Sequence, residues 1–237
     1  MLKILCCGAV LLVAGIQFAQ AGGQGQGYPT GPGGIGRSTG RAQQQENEIP
    51  VAPLDVKPDK EAAKAYAAGN KTMAKARELQ EVIAHTTDPE KKARASEKLD
   101  DTYDKALLQY TEVIRNKDDM YDPWNQIGFI HLHYGAFRES IDDYNHALAL
   151  KPDLPEAIAH RGAAYLGVDR LEEAKAAYMD LFFHDRPLAD QLMVSMQAWL
   201  QTHQASPNGV RVADIEAFGK WLQERDGIAK SAASAAN

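Results

Sequence analysis

The clearest pattern in the sequence is a set of apolar and small residues that recurs every 34 residues beyond residue 100. Tyr110 aligns with Tyr144 and Tyr178, and Gly128 aligns with Gly162. Self-similarity with a period of this length is typical of proteins in which identical units stack on one another. The pattern therefore predicts a stack of repeated units.

Within one unit, the apolar positions fall into two runs with helical spacing. Residues 124–132 are apolar or aromatic at intervals of three and four, which marks one face of a helix. Residues 137–148 follow the same spacing and end shortly before Pro152, which has no N–H to continue a helix. Gly135 lies between the two runs and permits a tight turn. Each unit is therefore predicted to be a pair of antiparallel helices.

These positions resemble the tetratricopeptide repeat family. The match in residues 121–154 is carried by Trp124, Ile127, Gly128, Phe137, Tyr144, Ala147 and Pro152, and in residues 155–188 by Gly162, Tyr165, Ala174 and Tyr178. Residues 103–118 resemble the second helix of an earlier unit. The resemblance implies an all-α fold, a right-handed helix-turn-helix solenoid with capping helices at its C-terminal end.

The first unit is predicted to be degenerate. Helical patterns over residues 62–85 and 89–116 are both longer than a 34-residue helix pair allows, and they are separated by Thr87, Asp88 and Pro89. We assign residues 61–120 to this unit, with an insertion between Lys71 and Asp101. The pattern leaves open whether the insertion is a rigid helical pair or a mobile arm.

Two more amphipathic helices are predicted beyond the repeats, within residues 189–226. The terminal unit of a solenoid exposes an apolar face that must be covered, so these helices are expected to act as a cap. A docking role for another protein is the alternative. Residues 227–237 are predicted to be a flexible tail.

The N-terminal segment has the pattern of a secretory signal peptide. Lys3 precedes an apolar run over residues 4–18, which ends in the small-x-small sequence Ala19, Gln20 and Ala21. The alternatives are a membrane anchor and a lipoprotein, but about 15 apolar residues span only ~22 Å of a ~30 Å hydrocarbon core. Residues 1–21 are therefore expected to be cleaved, with no stable membrane insertion afterwards.

The next segment, residues 22–60, is predicted to be a disordered linker. It contains nine of the 19 glycines and five of the 11 prolines, together with several glutamines. A segment with so few large apolar side chains does not bury enough surface to offset the entropy of ordering.

Charge and cysteine content narrow the possible functions. The 26 Lys and Arg residues and 32 Asp and Glu residues give a net charge of −6, which disfavours binding to nucleic acid. Both cysteines, Cys6 and Cys7, lie in the predicted signal, so the exported body has no disulfide and no thiol nucleophile.

No arrangement of residues typical of catalysis is evident. The sequence lacks a phosphate-binding loop, a nucleophile elbow and an H-E-x-x-H motif. His131 and His133 are two residues apart and point away from each other on a helix, and His131 is expected to be a packing residue. The adjacent pairs Asp100–Asp101 and Asp142–Asp143 are expected on solvated faces. We therefore predict no enzyme activity, no cofactor and no metal.

The resemblance implies a binding groove along the concave side of the solenoid, lined by the first helix of each unit. The implied groove residues are Asp122, Asn125, Phe129, Leu132, His133, Glu156, Ala159, His160, Ala163 and Leu166. Their mixture of aromatic, aliphatic and polar side chains suits an extended or helical peptide. Some of them are equally suited to packing on a neighbouring helix.

The leading hypothesis is an exported adaptor that binds peptide or protein segments in an envelope or secreted assembly, in the periplasm or outside the cell. The alternative is a structural subunit that forms homo-oligomers through Trp199, Trp221 or the apolar stripe over residues 212–222. A third hypothesis is an accessory domain that acts only in complex with a cell-wall enzyme.

Overall fold

The computed structural model describes residues 58–235, and this range is helical apart from short turns. The helices are α1 (Pro58–His85), α2 (Pro89–Asn116), α3 (Tyr121–His133), α4 (Phe137–Leu150), α5 (Pro155–Gly167), α6 (Leu171–His184), α7 (Arg186–Ala205) and α8 (Val212–Ala235). No β-strand occurs within residues 58–235. The predicted signal peptide, and the predicted linker as far as Lys57, lie outside the described residues.

The 34-residue period corresponds to two successive helix pairs. Helices α3 and α5 each contain 13 residues, and helices α4 and α6 each contain 14. Consecutive helices pack on one another from α1 through α8. The all-helical prediction and the two short helix pairs are therefore confirmed.

The turns within the two pairs share an unusual backbone conformation. Gly135, between α3 and α4, has a φ of 73°, and Asp169, at the equivalent place between α5 and α6, has a φ of 59°. Glycine adopts this left-handed region freely, and aspartate is one of the few other residues that tolerates it. The predicted turn at Gly135 is confirmed, and Asp169 closes the same turn without a glycine.

Small residues allow the two helices of the first short pair to approach closely. Ser140 is fully buried on α4, and its hydroxyl donates a hydrogen bond of 2.8 Å to the backbone oxygen of Gly128 on α3. A Cβ atom on Gly128 would lie 3.1 Å from the ring of Tyr144. The aromatic ring of Tyr144 thus fills the space that a side chain at Gly128 would need.

The first unit is a long helical hairpin. Helices α1 and α2 each contain 28 residues and pack against each other, with Ala76 and Leu99 among the residues buried between them. The two long helices predicted for this region are confirmed. Tyr110 lies over Gly69 as Tyr144 lies over Gly128, so α1 corresponds to the first helix of a repeat. The additional residues between Gly69 and Tyr110 hide this correspondence from a sequence comparison.

The C-terminal helices pack on the last repeat. Helix α7 contacts both α5 and α6, and α8 contacts α7. Asp185 caps α7 by accepting a hydrogen bond of 3.1 Å from the backbone N–H of Leu188. Trp199 is fully buried, and so are Phe218 and Leu222 of the predicted stripe. Trp199, Phe218 and Leu222 therefore do not form a self-association surface, because they pack inside the domain. Trp221 and Val212 keep accessible surface, and self-association of the chain stays a prediction.

Three predicted boundaries need correction. Helix α8 continues to Ala235, through most of the predicted flexible tail, because the residues after Gly227 are mainly alanine and serine, and alanine is the best helix former. Helix α1 begins at Pro58, inside the predicted linker, since the fixed φ of proline suits a first helical turn. Helix α7 begins at Arg186, inside the segment assigned to the second short repeat, because Asp185 caps it there.

Within the described range, none of the helices is both long and apolar enough to cross a membrane.

Candidate functional site

The structure divides the ten predicted groove residues into two groups. Four of them, Leu132, Ala159, Ala163 and Leu166, are no more than 8% exposed and belong to the hydrophobic core. The prediction that they line an open groove is wrong. On α5 the reason is that α7 packs directly on that helix and places Leu192 and Met196 in the same core cluster, and Leu132 of α3 belongs to this cluster together with Ile141 of α4. The other six, Asp122, Asn125, Phe129, His133, Glu156 and His160, keep part of their surface accessible.

The accessible residues form a surface on helices α1, α3 and α5. We define the α1–α3–α5 surface as Tyr66, Asp122, Asn125, Phe129, His133, Glu156 and His160. The hydroxyl of Tyr66 donates a hydrogen bond of 2.8 Å to the Asp122 carboxylate, which joins α1 to α3. Sequence analysis missed Tyr66, although it lies three residues before Gly69 just as Asn125 lies three residues before Gly128.

Aromatic rings connect the middle of this surface to the neighbouring helices. The ring of Phe129 lies 5.4 Å from that of His160 on α5 and 6.0 Å from that of Tyr103 on α2. Tyr103 also lies 4.6 Å from His133 and is fully buried. Ring pairs at these separations add stabilisation beyond the burial of their area. Phe129 therefore holds a position where three helices meet.

Three buried polar atoms in this region have no hydrogen-bond partner. They are Asn125 Oδ1, the hydroxyl of Tyr144 and His160 Nδ1. The Tyr144 and His160 rings lie 5.9 Å apart, and Asn125 is one helical turn before Phe129. An unsatisfied buried group costs about 1–3 kcal/mol, and these three atoms are too deeply buried for a ligand to reach without movement of the side chains around them.

Comparisons with known proteins found partial similarities. No family model matches the chain. The Protein SGT1 homolog of Oryza sativa subsp. japonica is 30% identical over 94 residues, which are 40% of this chain and 25% of that relative. The chain therefore spans about a quarter of the length of the curated relative it matches.

A solved structure is similar to part of the chain. The NMR structure of the second TPR domain of human RPAP3, in complex with the HSP70 peptide SGPTIEEVD, superposes with a TM-score of 0.43 and 17% identity. It covers 58% of this chain and 97% of that domain.

The helix pairs of this chain have the features that define the repeat. They recur at 34 residues, contain helices of 13 and 14 residues, and approach closely at Gly128 and Gly162. These helix pairs therefore resemble tetratricopeptide (TPR) repeats. We call the pairs α3–α4 and α5–α6 the TPR units of this chain; the elongated hairpin α1–α2 precedes them.

The hairpin is tied to the first short TPR unit by polar contacts. His133 Nε2 lies 3.1 Å from the Asp100 carboxylate of α2. The Tyr134 hydroxyl lies 2.9 Å from the backbone oxygen of Asp100 and 2.8 Å from the Asp104 carboxylate. Asp100 was expected only to face solvent, and it also anchors His133. This contact fixes one end of the α1–α3–α5 surface.

A second polar pair joins the two helices of the same TPR unit. His131 Nδ1 on α3 lies 2.5 Å from the Asp143 carboxylate on α4, and Asp143 is buried. The expectation that both Asp142 and Asp143 are solvated is wrong for Asp143, because His131 supplies a partner that permits its burial. Burial raises the pKa of Asp143, and the hydrogen bond from His131 opposes that shift. His131 therefore has a polar structural role in addition to packing.

Burial keeps His160 neutral. Loss of hydration disfavours the imidazolium and lowers the pKa of His160 to about 4, from an ordinary value of 6.5. At neutral pH its ring therefore offers one donor and one acceptor and carries no charge.

We expect His160 to make the stability of the domain depend on pH. Because its pKa is lower in the folded state, its contribution is fully present above pH 6.5 and is lost as the pH falls towards 4. Urea denaturation at pH 6.5 and at pH 4 gives the free energy of unfolding at each pH. The decrease from pH 6.5 to pH 4 should be smaller for His160→Asn than for the wild type. His184→Asn, at an exposed histidine, is the control and should keep the wild-type pH dependence. Equal effects of both substitutions would contradict the prediction.

Proposed function

We propose that this protein is an exported adaptor that binds an extended peptide or protein segment on its α1–α3–α5 surface, without catalysis. The observation that carries the proposal is the partly accessible group of Asn125, Phe129 and His160, in which the Phe129 ring lies 5.4 Å from the His160 ring. Peptide backbones supply both N–H donors and carbonyl acceptors, and apolar side chains pack on aromatic rings. A peptide thus supplies partners for both the polar and the aromatic side chains of this surface.

The proposed setting is an envelope or secreted assembly. It is supported by the pattern of residues 1–21, in which a basic residue, an apolar run and a small-x-small site follow one another. The absence of cysteine from residue 8 onwards is compatible with an oxidising compartment.

Site-specific photo-cross-linking in the native host tests this proposal. A photoreactive amino acid at Phe129 samples the α1–α3–α5 surface, and one at Glu172 samples an exposed position on α6, where 83% of the side chain is accessible. We expect defined adducts in the extracytoplasmic fraction from position 129 alone, and we expect Asn125→Ala to reduce them.

The outcomes separate the parts of the proposal. The same adducts from positions 129 and 172 would contradict binding at the α1–α3–α5 surface. Adducts that contain only a second copy of the chain would favour self-association. Recovery of the protein only from the cytosol, with residues 1–21 still attached, would contradict export.

A further inference from the structure

Exposed lysines form a stripe along one side of α1. The stripe consists of Lys60, Lys64, Lys71 and Lys75, and all four side chains are exposed. Steps of four and seven residues turn a helix by about 40° and about −20° beyond whole turns, so the four directions lie within about 60° of one another. Glu61, the acidic residue between them in the sequence, is partly buried and lies about 100° from Lys60. Between Lys60 and Lys75 the stripe is otherwise bordered by Ala67 and Ala68.

Helix α2 adds a second row of lysines on the same side of the hairpin. The row consists of Lys91, Lys98 and Lys105, which are spaced by one heptad and lie within about 40° of one another. Thr72, next to Lys71 on α1, donates a hydrogen bond of 2.7 Å to Gln109 Oε1 on α2. Gln109 lies one turn beyond Lys105 on the same face of α2. This bond therefore lies between the two rows, which share one side of the hairpin.

The lysine rows lie on the side of the hairpin that is opposite to the repeats. Tyr103 of α2 contacts Phe129 of α3, with the ring centres 6.0 Å apart. Lys105 follows Tyr103 by two residues, so it points about 200° away from that contact. Among the helices of residues 58–235, α1 packs extensively on α2 alone. The lysine rows therefore form the free end of the helical stack.

We define the lysine face as Lys60, Lys64, Lys71, Lys75, Lys98 and Lys105. None of these six makes an ion pair in the part of the chain that the structure describes. Lys91 is not included, because its Nζ lies 3.9 Å from the Asp88 carboxylate. Glu78 and Asp101 lie at the edge of the face, and neither is paired with one of its lysines. The six lysines therefore leave an excess of positive charge here, although the whole chain has a net charge of −6.

The composition of the lysine face favours a partner that offers charge alone. The cores of protein–protein interfaces are rich in aromatic side chains and poor in lysine, and single-stranded nucleic acid is bound by stacking on aromatic rings. The lysine face has no aromatic member, and Val82 is a single exposed aliphatic side chain in line with it. Lysine is a point charge on a flexible stem and lacks the fixed fork with which arginine recognises a single carboxylate or phosphate. Such residues suit the diffuse negative charge of lipid head groups.

We propose that the lysine face binds the surface of an anionic lipid bilayer and holds the helical domain against it without insertion. Clusters of about four to eight basic residues on a helix are typical of such binding. The α1–α3–α5 surface stays accessible in this orientation, because Tyr66 and Arg77 each follow a lysine of the stripe by two residues and point about 200° away from it. The inference is independent of the proposed peptide binding, which uses another side of α1.

Co-sedimentation with lipid vesicles tests the inference. The protein is the chain from residue 22 onwards, which contains all the described helices and lacks the apolar run of residues 4–18. One set of vesicles is phosphatidylcholine alone, and the other is phosphatidylcholine and phosphatidylglycerol in equal parts. We expect binding only to the anionic vesicles at about 0.1 M salt. This binding should be lost at about 1 M salt, where the Debye length falls from about 10 Å to about 3 Å.

Variants of two lysines on α1 assign the binding to the lysine face. Replacement of both Lys64 and Lys71 by glutamine should lower the vesicle partition coefficient about 25-fold, or about fivefold for each lysine. Replacement of both by arginine keeps the charges and should preserve binding, which separates loss of charge from loss of structure. The matched control combines Arg138→Gln and Lys220→Gln, at exposed positions on α4 and α8. It removes the same charge outside the face and should bind as the wild type does.

Four results would overturn the inference. They are equal binding to both sets of vesicles, lack of binding to the anionic set at about 0.1 M salt, equal losses in the glutamine variant and the control, and loss of binding in the arginine variant. Labelled polyglutamate provides a further comparison. If the wild type bound polyglutamate and not the vesicles, and the glutamine variant did not, the partner would be an acidic protein and the lipid surface would be excluded. The adducts formed at position 129 decide the proposed function separately.

Discussion

Replacement of Trp199 by alanine is expected to lower the free energy of unfolding by about 4 kcal/mol. Trp199 is 0% exposed, and its ring stacks on His203 at 3.9 Å and meets Phe218 edge-on at 5.2 Å. Its Nε1 donates a hydrogen bond of 3.0 Å to Asp169 Oδ1, in the left-handed turn of the last TPR unit. The substitution leaves a cavity between α7 and α8 and removes the link to that turn. Urea denaturation followed by circular dichroism measures the effect.

Trp124→Ala is the matched control for this prediction. Trp124 is partly accessible, stacks on His146 at 4.5 Å and lies outside the buried core clusters. Its removal should therefore cost clearly less than that of Trp199. If both substitutions lowered the free energy of unfolding equally, the core position of Trp199 would be contradicted. A Trp199→Ala protein of wild-type stability that changes from dimer to monomer would instead support self-association.

Gly162→Ala is expected to lower the free energy of unfolding by about 1–2 kcal/mol, although alanine is the better helix former. A Cβ atom at Gly162 would lie 2.7 Å from Leu192 Cδ2 and 3.0 Å from Ala177 Cβ. The end of Leu192 can rotate, but the Cβ of Ala177 is attached directly to the backbone of α6. Helices α5 and α6 must therefore separate, which outweighs the gain in helix propensity. Chemical denaturation of the variant measures the net change.

Gly219→Ala makes the same substitution where space is available. On α8 the nearest atom to a Cβ at Gly219 is Leu200 Cδ2, at 3.4 Å, which is an ordinary contact. This variant should match the wild type or exceed its free energy of unfolding by up to about 1 kcal/mol, because only the gain in helix propensity from glycine to alanine remains. If Gly162→Ala were as stable as Gly219→Ala, the close approach of α5 and α6 would not limit the residue at position 162.

The local features of the fold were predictable because they depend on neighbours in the chain. Helix periodicity, the prolines that end or begin helices, the turn at Gly135 and the cap at Asp185 each act within a few residues. The 34-residue register located the helix pairs without knowledge of any distant contact. Only the correspondence of α1 to the first helix of a repeat was not predictable, because the extra residues between Gly69 and Tyr110 interrupt the 34-residue period.

The candidate site was only partly predictable, since accessibility depends on contacts between helices. Ala159 and Ala163 occupy groove positions in the register, and they are buried because small side chains let α7 pack on α5. Tyr66 and Tyr103 reach the site from the hairpin, at distances along the chain that a local pattern does not encode. Asp143 resembles its exposed neighbour Asp142 in sequence, and only the position of His131 on the facing helix explains its burial.

The amino-acid sequence by itself determined the helices, their pairing and the repeat register, because hydrophobic periodicity, glycine and proline act over short distances. The tertiary structure alone decided which first-helix residues stay accessible and which polar atoms stay unpartnered. Those properties arise from the packing of α2 and α5 against α3 and α4, and of α7 on α5 and α6. Burial and hydrogen bonding are set by atoms brought together from distant parts of the chain, and no local pattern specifies them.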